Sequence, residues 1–178
     1  GAKNIREFRQ REGYHIPWTI SLTVMQDTLC DLHHELICQG EELGIHTWQL
    51  FSNHGIYECL TLAQCHPDSS FVIFCDVNAI DLNVLDYADN IHNVALMIPY
   101  DADADILSEL LRSSGMLYGI YHCYTEQNLP QLLSGELVGD IQQLHPAVTV
   151  LMPRFHGQDQ LTAQAYDWIG RERIAQVC

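Results

Sequence analysis

The feature that most constrains this chain is a sixfold repeat in which a short apolar run is followed by polar residues and then by a helical pattern. Clear examples of the runs are FVIFC over 71–75, VALMIP over 94–99 and VTVLM over 148–152. Their β-branched and aromatic content predicts strands. Strand and helix alternating about every 25 residues predict βα units, whose strands run parallel beneath covering helices. The sequence therefore predicts an α/β protein with a mostly parallel, six-stranded sheet.

The individual elements follow from periodicity, capping residues and breakers. Strands are predicted over 16–24, 45–51, 71–75, 91–98, 116–124 and 149–152. Helices are predicted from 27 or 28 to 40 or 44, and over 56–65, 82–88, 103–114 and 129–144. Terminal helices are predicted over 3–12 and 158–174. Such a sheet either stays open and doubly wound or curves into a partial barrel, and in both cases ligands bind at the carboxyl ends of the strands.

The 178 residues are 47% hydrophobic, enough to bury a core, and contain no low-complexity linker. We therefore predict one α/β domain over 1–178. It would comprise an N-terminal helix over 1–13, a βα core over 16–157 and a C-terminal helix over 158–178.

The net charge limits the classes of partner that the chain can bind, and the cysteine content indicates the compartment. Eight Lys and Arg against 23 Asp and Glu give a net charge of −15, and no Lys or Arg lies between Arg11 and Arg112. An acidic chain without a basic stripe argues against nucleic-acid binding. No apolar run approaches the roughly 20 residues that span a bilayer. Seven cysteines, two of them within apolar runs, indicate reduced thiols and a cytoplasmic location.

The polar residues after the strands are the candidate site, because the carboxyl ends of parallel strands meet at one edge. An arginine among carboxylates and imidazoles suits a small polar or zwitterionic ligand. The alternative is structural, with Asn78 and Asp101 capping helices and His122 paired inside the core. The candidates are His54, Asp76, Asn78, Asp101, His122, Tyr124, Asn128, Arg154 and His156.

Metal binding is less clearly indicated. Cys30, His34 and Cys38 share one helix face, but three successive turns spread over about 12 Å, so only a pair such as Cys30–His34 would chelate one ion. A buried cysteine beside exposed histidines explains the pattern as well. Cys65-His66, at a helix end, looks incidental. A divalent-metal barrel hydrolase or isomerase would use four other histidines, although the first strand lacks the expected HxH: His46, His54, His122 and His156.

Taken in order over roughly 16–160, the strand exits resemble the radical SAM superfamily, a partial (β/α)6 barrel. Ser52-Asn53-His54-Gly55 stands where the family has Gly-Gly-Glu-Pro, which contacts the amino end of S-adenosylmethionine. Val77-Asn78-Ala79 stands at the family's Thr-Asn-Gly, and Met97-Ile98-Pro99-Tyr100-Asp101 is similar to its Ile-Ser-Leu-Asp. Asn128 would correspond to the asparagine after strand five.

The resemblance implies a partial (β/α)6 barrel, S-adenosylmethionine, a [4Fe–4S] cluster, and a peptide or small metabolite as substrate. The implied cofactor contacts are Ser52, Asn53, His54, Asn78, Asp101, Asn128 and Pro153. The implied substrate contacts are His122, Tyr124, Arg154 and His156.

The chain departs from the family at strand one, where CxxxCxxC should bind the cluster and leave one iron open. Here Val24-Met25-Gln26-Asp27 leads directly into the next helix. Two interpretations follow. Either a cluster-bearing loop is missing between Val24 and Asp27 and the chain is a radical enzyme, or it is a cluster-less binding scaffold for a ligand or peptide.

Overall fold

A computed structural model describes residues 13, 15–26, 30–76 and 78–154. The strands are β1 Ile20–Met25, β2 Thr47–Asn53, β3 Ser70–Phe74, β4 Val94–Pro99, β5 Tyr118–Tyr124 and β6 Thr149–Pro153. The helices are α1 Cys30–Leu43, α2 Ile56–Cys65, α3 Leu82–Ala88, α4 Ala104–Ser113, α5 Leu129–Ser134 and α6 Glu136–Gln143. The helices predicted over 3–12 and 158–174 lie outside the described residues.

The six strands form one sheet in the order β1-β2-β3-β4-β5-β6. The pairs β1–β2, β2–β3, β3–β4 and β5–β6 are parallel. Because every strand pairs with its neighbour in sequence, the order is that of a partial (β/α)6 barrel and not of an open doubly wound sheet. The predicted fold class is confirmed.

The chain divides into two compact units, Gly1–Met97 and Ile98–Cys178. In the first unit, Trp48 and Leu50 of β2 are fully buried, as is Ile73 of β3. They alternate with more exposed neighbours, which places one side of the strand against the helices. Helix α1 packs closely here, because a Cβ on Gly40 would come within 2.6 Å of the Trp48 ring.

In the second unit, the core side chains come from β5 and from two of the helices that follow the strands. Ile120 of β5 and Leu111 of α4 are fully buried, and so is Ile141 of α6. The helix predicted over 129–144 is two helices, because Gly135 adopts φ 82° between α5 and α6. This left-handed conformation ends an α-helix and is open to glycine without strain.

Several strand boundaries also differ from the prediction, and β4 begins at Val94 and β5 at Tyr118, each later than predicted. β1 begins at Ile20 and not at 16, because Pro17 has no N–H for the ladder and Trp18 is 58% exposed. β2 extends through Ser52 and Asn53, which were predicted to follow it. Within the described residues, no helix combines the length and the apolar character needed to cross a membrane.

The turn after β1 lies against the start of α2 at very short range. Met25 forms a bridge with His54, and the Gln26 N–H donates to the carbonyl of Asn53 at 3.3 Å. A Cβ on Gly55 would lie 2.8 Å from the carbonyl carbon of Met25 and 3.0 Å from the Val24 oxygen. Only glycine fits, since a backbone neighbour cannot rotate away as a side chain does.

We predict that Gly55→Ala lowers the free energy of unfolding by about 1–3 kcal/mol, the usual cost of overpacking. The matched control is Gly139→Ala in α6, where an added Cβ meets no atom within 4 Å. It should stabilise the chain by about 0.5–1 kcal/mol, as alanine does in helix interiors. Urea denaturation of both variants checks this. Equal effects at the two positions would contradict the close approach.

Candidate functional site

In the first unit, the residues after β2 and β3 come together. The strand ends are adjacent because Phe51 and Phe74 are partners in the parallel register. The His54 backbone N–H donates to Oδ2 of Asp76 at 3.2 Å, and its Nδ1 lies 4.0 Å from the same oxygen. His54 adopts φ 60°, which non-glycine residues rarely do. The conformation is held by the bridge to Met25 and the bond to Asp76.

These residues border a cavity of about 380 Å³, within the size range of small-molecule sites. We call it the acidic cavity. Two of its side chains carry carboxylates, Asp76 and Asp81, and none of the described lining residues is Lys or Arg. The lining residues are Gln26, His54, Ile56, Tyr57, Asp76, Asn78, Ala79, Asp81 and Val84.

Asp81 caps the start of α3. Its Oδ1 accepts from the Val84 N–H at 2.9 Å, and its Oδ2 accepts from the Asn83 amide at 3.2 Å. These bonds, the Val84 N–H first, lower the pKa of the Asp81 carboxyl. The N-cap bond stabilises the helix, and the same carboxylate adds a negative charge to the acidic cavity.

Of the predicted cofactor contacts in this unit, His54 and Asn78 line the cavity. Asn53 is exposed, and its carbonyl holds the turn after β1. Ser52 lies inside β2, is 5% exposed, and its Oγ has no hydrogen-bond partner among the described atoms. It is not a cavity residue. The prediction placed Ser52 in the exit because β2 runs two residues further than its apolar alternation indicated.

Six of the nine lining residues were not predicted as site candidates, and three of these six have polar side chains, Gln26, Tyr57 and Asp81. Gln26 follows β1 as His54 follows β2, so the strand-exit rule would have found it. Asp81 directly precedes the helix predicted over 82–88, so the sequence could have identified it as the N-cap. Tyr57 gave no signal, since its contribution depends on the direction in which α2 leaves the strand.

In the second unit, a hydrogen-bonded group joins the ends of β4 and β5. Asn128 Oδ1 accepts from the Thr125 N–H at 2.6 Å, which leaves its amide nitrogen facing His122 Nε2 at 2.9 Å. The ring of Tyr100 meets the His122 ring edge-on at 5.8 Å. Asn128 is therefore committed to a structural clamp, with one oxygen and one N–H already used.

This arrangement fixes the state of His122. An amide N–H only donates, so Nε2 accepts and Nδ1 carries the proton. Burial lowers the pKa of His122, while a hydrogen bond to the Tyr100 backbone opposes that shift. Burial raises the pKa of Tyr100, and the charge of Asp140 adds to the effect. Both rings are neutral at pH 7.

The other predicted contacts of this unit differ in exposure. Asp101 Oδ1 accepts from the Asp103 N–H at 3.1 Å, whereas its buried Oδ2 has no partner among the described atoms. Tyr124 is 1% exposed and belongs to the core. Pro153 and Arg154 are exposed at the end of β6, and the Arg154 N–H donates to the Tyr124 carbonyl at 2.8 Å. His156 lies outside the described residues.

The residues present do not fit a [4Fe–4S] cluster. The sequence contains no CxxxCxxC, and positions 26–29 after β1 hold no cysteine. Cys75 follows β3, but burial, then the charges of Cys59 and Asp76, raise the pKa of its thiol far above neutrality. One buried thiol does not supply the three thiolates that the cluster needs.

No family model matches the sequence, and no protein of known annotation matches it either. Solved structures do resemble it. Streptococcus suis SuiB bound to S-adenosylmethionine has a TM-score of 0.63 at 10% identity, covering 98% of this chain and 50% of SuiB. SuiB bound to its precursor peptide SuiA has a TM-score of 0.60 at 10% identity, covering 99% and 52%. A protein assigned to the mandelate racemases, from Bordetella bronchiseptica RB50 and complexed with 2-oxoglutarate/phosphate, has a TM-score of 0.55 at 13% identity, covering 89% and 44%.

The chain thus spans about half the length of the SuiB structures that it matches. At these identities the likeness concerns the fold alone. At that level, the predicted resemblance to radical SAM enzymes is confirmed.

His122 makes the stability of the chain depend on pH. Its pKa in the folded state lies below the unfolded value of about 6.5. The unfolded chain therefore binds more protons below that pH. The contribution of neutral His122 to the free energy of unfolding is complete above about pH 6.5 and is lost as pH falls through the folded pKa.

We predict that His122→Gln flattens the fall in the free energy of unfolding between about pH 7 and 5, measured by urea denaturation. The exposed His92→Gln is the control, and identical pH profiles for the two variants would contradict the assignment.

Proposed function

We propose that this chain is a cluster-free binding module that holds a small cationic or zwitterionic ligand of the S-adenosylmethionine class in the acidic cavity. The observation that carries the proposal is the charge of that cavity. Asp76 and Asp81 border it, and the described part of the first unit contains no Lys or Arg. A sulfonium or ammonium group would find carboxylates there without a competing cation.

The position of the cavity supports the same ligand class. It lies after β2 and β3, and ligands of parallel βα folds bind at the carboxyl ends of strands. A SuiB structure with this fold contains S-adenosylmethionine. The radical reaction is not part of the proposal, because this sequence contains no CxxxCxxC.

The divalent-metal hydrolase or isomerase has less support. Among the described residues, the His, Cys, Asp and Glu side chains that converge closely enough for an ion are His34, Cys38 and His66. The carboxylates of the acidic cavity do not belong to that group. A peptide ligand remains within the proposal when it presents an amino terminus or a basic side chain. We also propose a reducing compartment such as the cytoplasm, supported by the free thiols of Cys38, Cys65 and Cys123.

Calorimetric titration tests the ligand class. S-adenosylmethionine should bind more tightly than S-adenosylhomocysteine, because the latter keeps the nucleoside and amino acid but lacks the sulfonium charge. Asp76→Asn keeps an oxygen for the His54 N–H and removes the negative charge. We expect it to weaken binding about fivefold, equivalent to about 1 kcal/mol at a half-exposed carboxylate.

Asp86→Asn is the control, since Asp86 is exposed on α3 and is not among the residues that line the acidic cavity. It should bind S-adenosylmethionine as the unmodified chain does. Equal affinity for the two compounds would show that the charge of the cavity does not select the ligand. No heat from these two compounds or from a basic peptide at millimolar concentration would reject the proposal, whereas heat with the basic peptide alone would restrict the ligand to a peptide.

Iron and acid-labile sulfide analysis tests the cluster-free part separately. We predict near-zero iron and sulfide in protein purified anaerobically, because the turn after β1 supplies no thiolates. About four irons and four sulfides per chain would contradict this and restore the radical enzyme.

A further inference from the structure

A second group of ligand-type side chains lies in the first unit, away from the acidic cavity. His34 and Cys38 are four residues apart on α1 and therefore share one face. His66 directly follows α2 and precedes β3. The residues of the acidic cavity follow strands, whereas His66 lies in the connection that enters one. The acidic cavity and His66 therefore lie at opposite ends of the strands.

The three side chains converge. His66 Nε2 lies 2.8 Å from His34 Nδ1, and His34 Nε2 lies 3.7 Å from Cys38 Sγ. One ligand atom from each residue lies within 4.8 Å of the others. Zinc–nitrogen and zinc–sulfur bonds of about 2.0–2.3 Å place tetrahedral ligands about 3.3–3.6 Å apart. These two contacts use different nitrogens of His34, of which one would bind the ion, so the exposed His34 ring and Cys38 would have to rotate to reach that spacing.

His66 is held in the orientation that metal-binding histidines have. It is 4% exposed, and its Nδ1 lies 3.2 Å from Oε2 of Glu41. A carboxylate only accepts, so Nδ1 carries the proton and Nε2 presents its lone pair toward His34 and Cys38. Ser69 Oγ donates to Oε1 of Glu41 at 2.6 Å and fixes the carboxylate in turn. The backbone is also held, because the Asn93 amide donates to the His66 carbonyl at 3.0 Å.

From this geometry we propose that His34, Cys38 and His66 bind a zinc ion or a chemically similar transition-metal ion. Two imidazole nitrogens and one thiolate are ligands that zinc prefers, and Glu41 supplies the carboxylate partner behind a ligating histidine. Binding converts the Cys38 thiol to a thiolate and releases its proton to solvent. The exposed His34 provides the route of entry, and a water molecule completes the coordination. The ion would link α1 to the connection between α2 and β3.

The proposal is tested on the full chain, reduced and freed of metal with a chelator, by titration with Co²⁺ as a spectroscopic substitute for zinc. We expect one ion per chain, a thiolate-to-cobalt charge-transfer band in the near ultraviolet, and loss of the band when Zn²⁺ is added. Absence of the band at millimolar Co²⁺ would overturn the proposal.

Variants assign the ligands. Cys38→Ser should abolish the charge-transfer band, and His34→Ala should weaken Co²⁺ binding more than tenfold. Cys65→Ser and His92→Ala are matched controls, because both residues are exposed in the same unit and neither belongs to the cluster. A band that survives Cys38→Ser, or equal losses in the controls, would overturn the assignment. Both substituted ligands lie on α1 outside the core, so circular dichroism should show an intact fold.

Glu41 is a positioning residue in this site, and Glu41→Gln separates its role from simple structural support. We expect Co²⁺ affinity to fall about 10- to 100-fold while the charge-transfer band keeps its position, since the thiolate ligand is unchanged. Unchanged affinity in Glu41→Gln would show that the carboxylate does not orient the metal-binding form of His66.

Discussion

The close approach of Gly55 to the turn after β1 is the constraint on which the first unit depends. Parallel pairing of β1 and β2 brings Met25 beside Asn53, and the missing Cβ lets the chain turn into α2 at that point. The same turn holds His54 at φ 60° and directs its N–H toward Asp76. One contact thereby sets an edge of the acidic cavity.

The charges of the first unit also favour a cationic ligand in the acidic cavity. The long interval without Lys or Arg covers the whole described part of the first unit, so no basic side chain there neutralises Asp76 or Asp81. The helix-capping bonds lower the pKa of Asp81. In the second unit Asn128 is already paired with His122 and Thr125. We therefore place the ligand in the first unit, in the cavity that Asp76 and Asp81 border.

The sequence predicted the fold well because strands and covering helices produce patterns that neighbouring residues reveal. Its errors came from single residues, with Pro17 delaying β1 and Gly135 dividing the long helix. The candidate site was predicted only in part. The strand-exit rule found His54, Asp76 and Asn78, but not Tyr57, which depends on how a helix leaves its strand. The interpretation of Cys65-His66 as incidental overlooked His66, because its partners His34 and Glu41 are more than 20 residues away in the chain.

His66 could not be linked to His34 and Cys38 by spacing within one helix. The argument from helix geometry predicts that Cys30, His34 and Cys38 along α1 are too far apart to share one ion. It considered only one helix, whereas the βα fold brings the end of α2 against the side of α1 and adds a buried imidazole from another part of the chain. The same topology serves SuiB and a mandelate racemase-type protein, so it specifies neither chemistry. Function in such a fold depends on which side chains the connections carry, and in this chain the connections before and after the strands carry different ones. Carboxylates follow the strands and suit an organic cation, while nitrogen and sulfur ligands at the entry to β3 suit a transition metal.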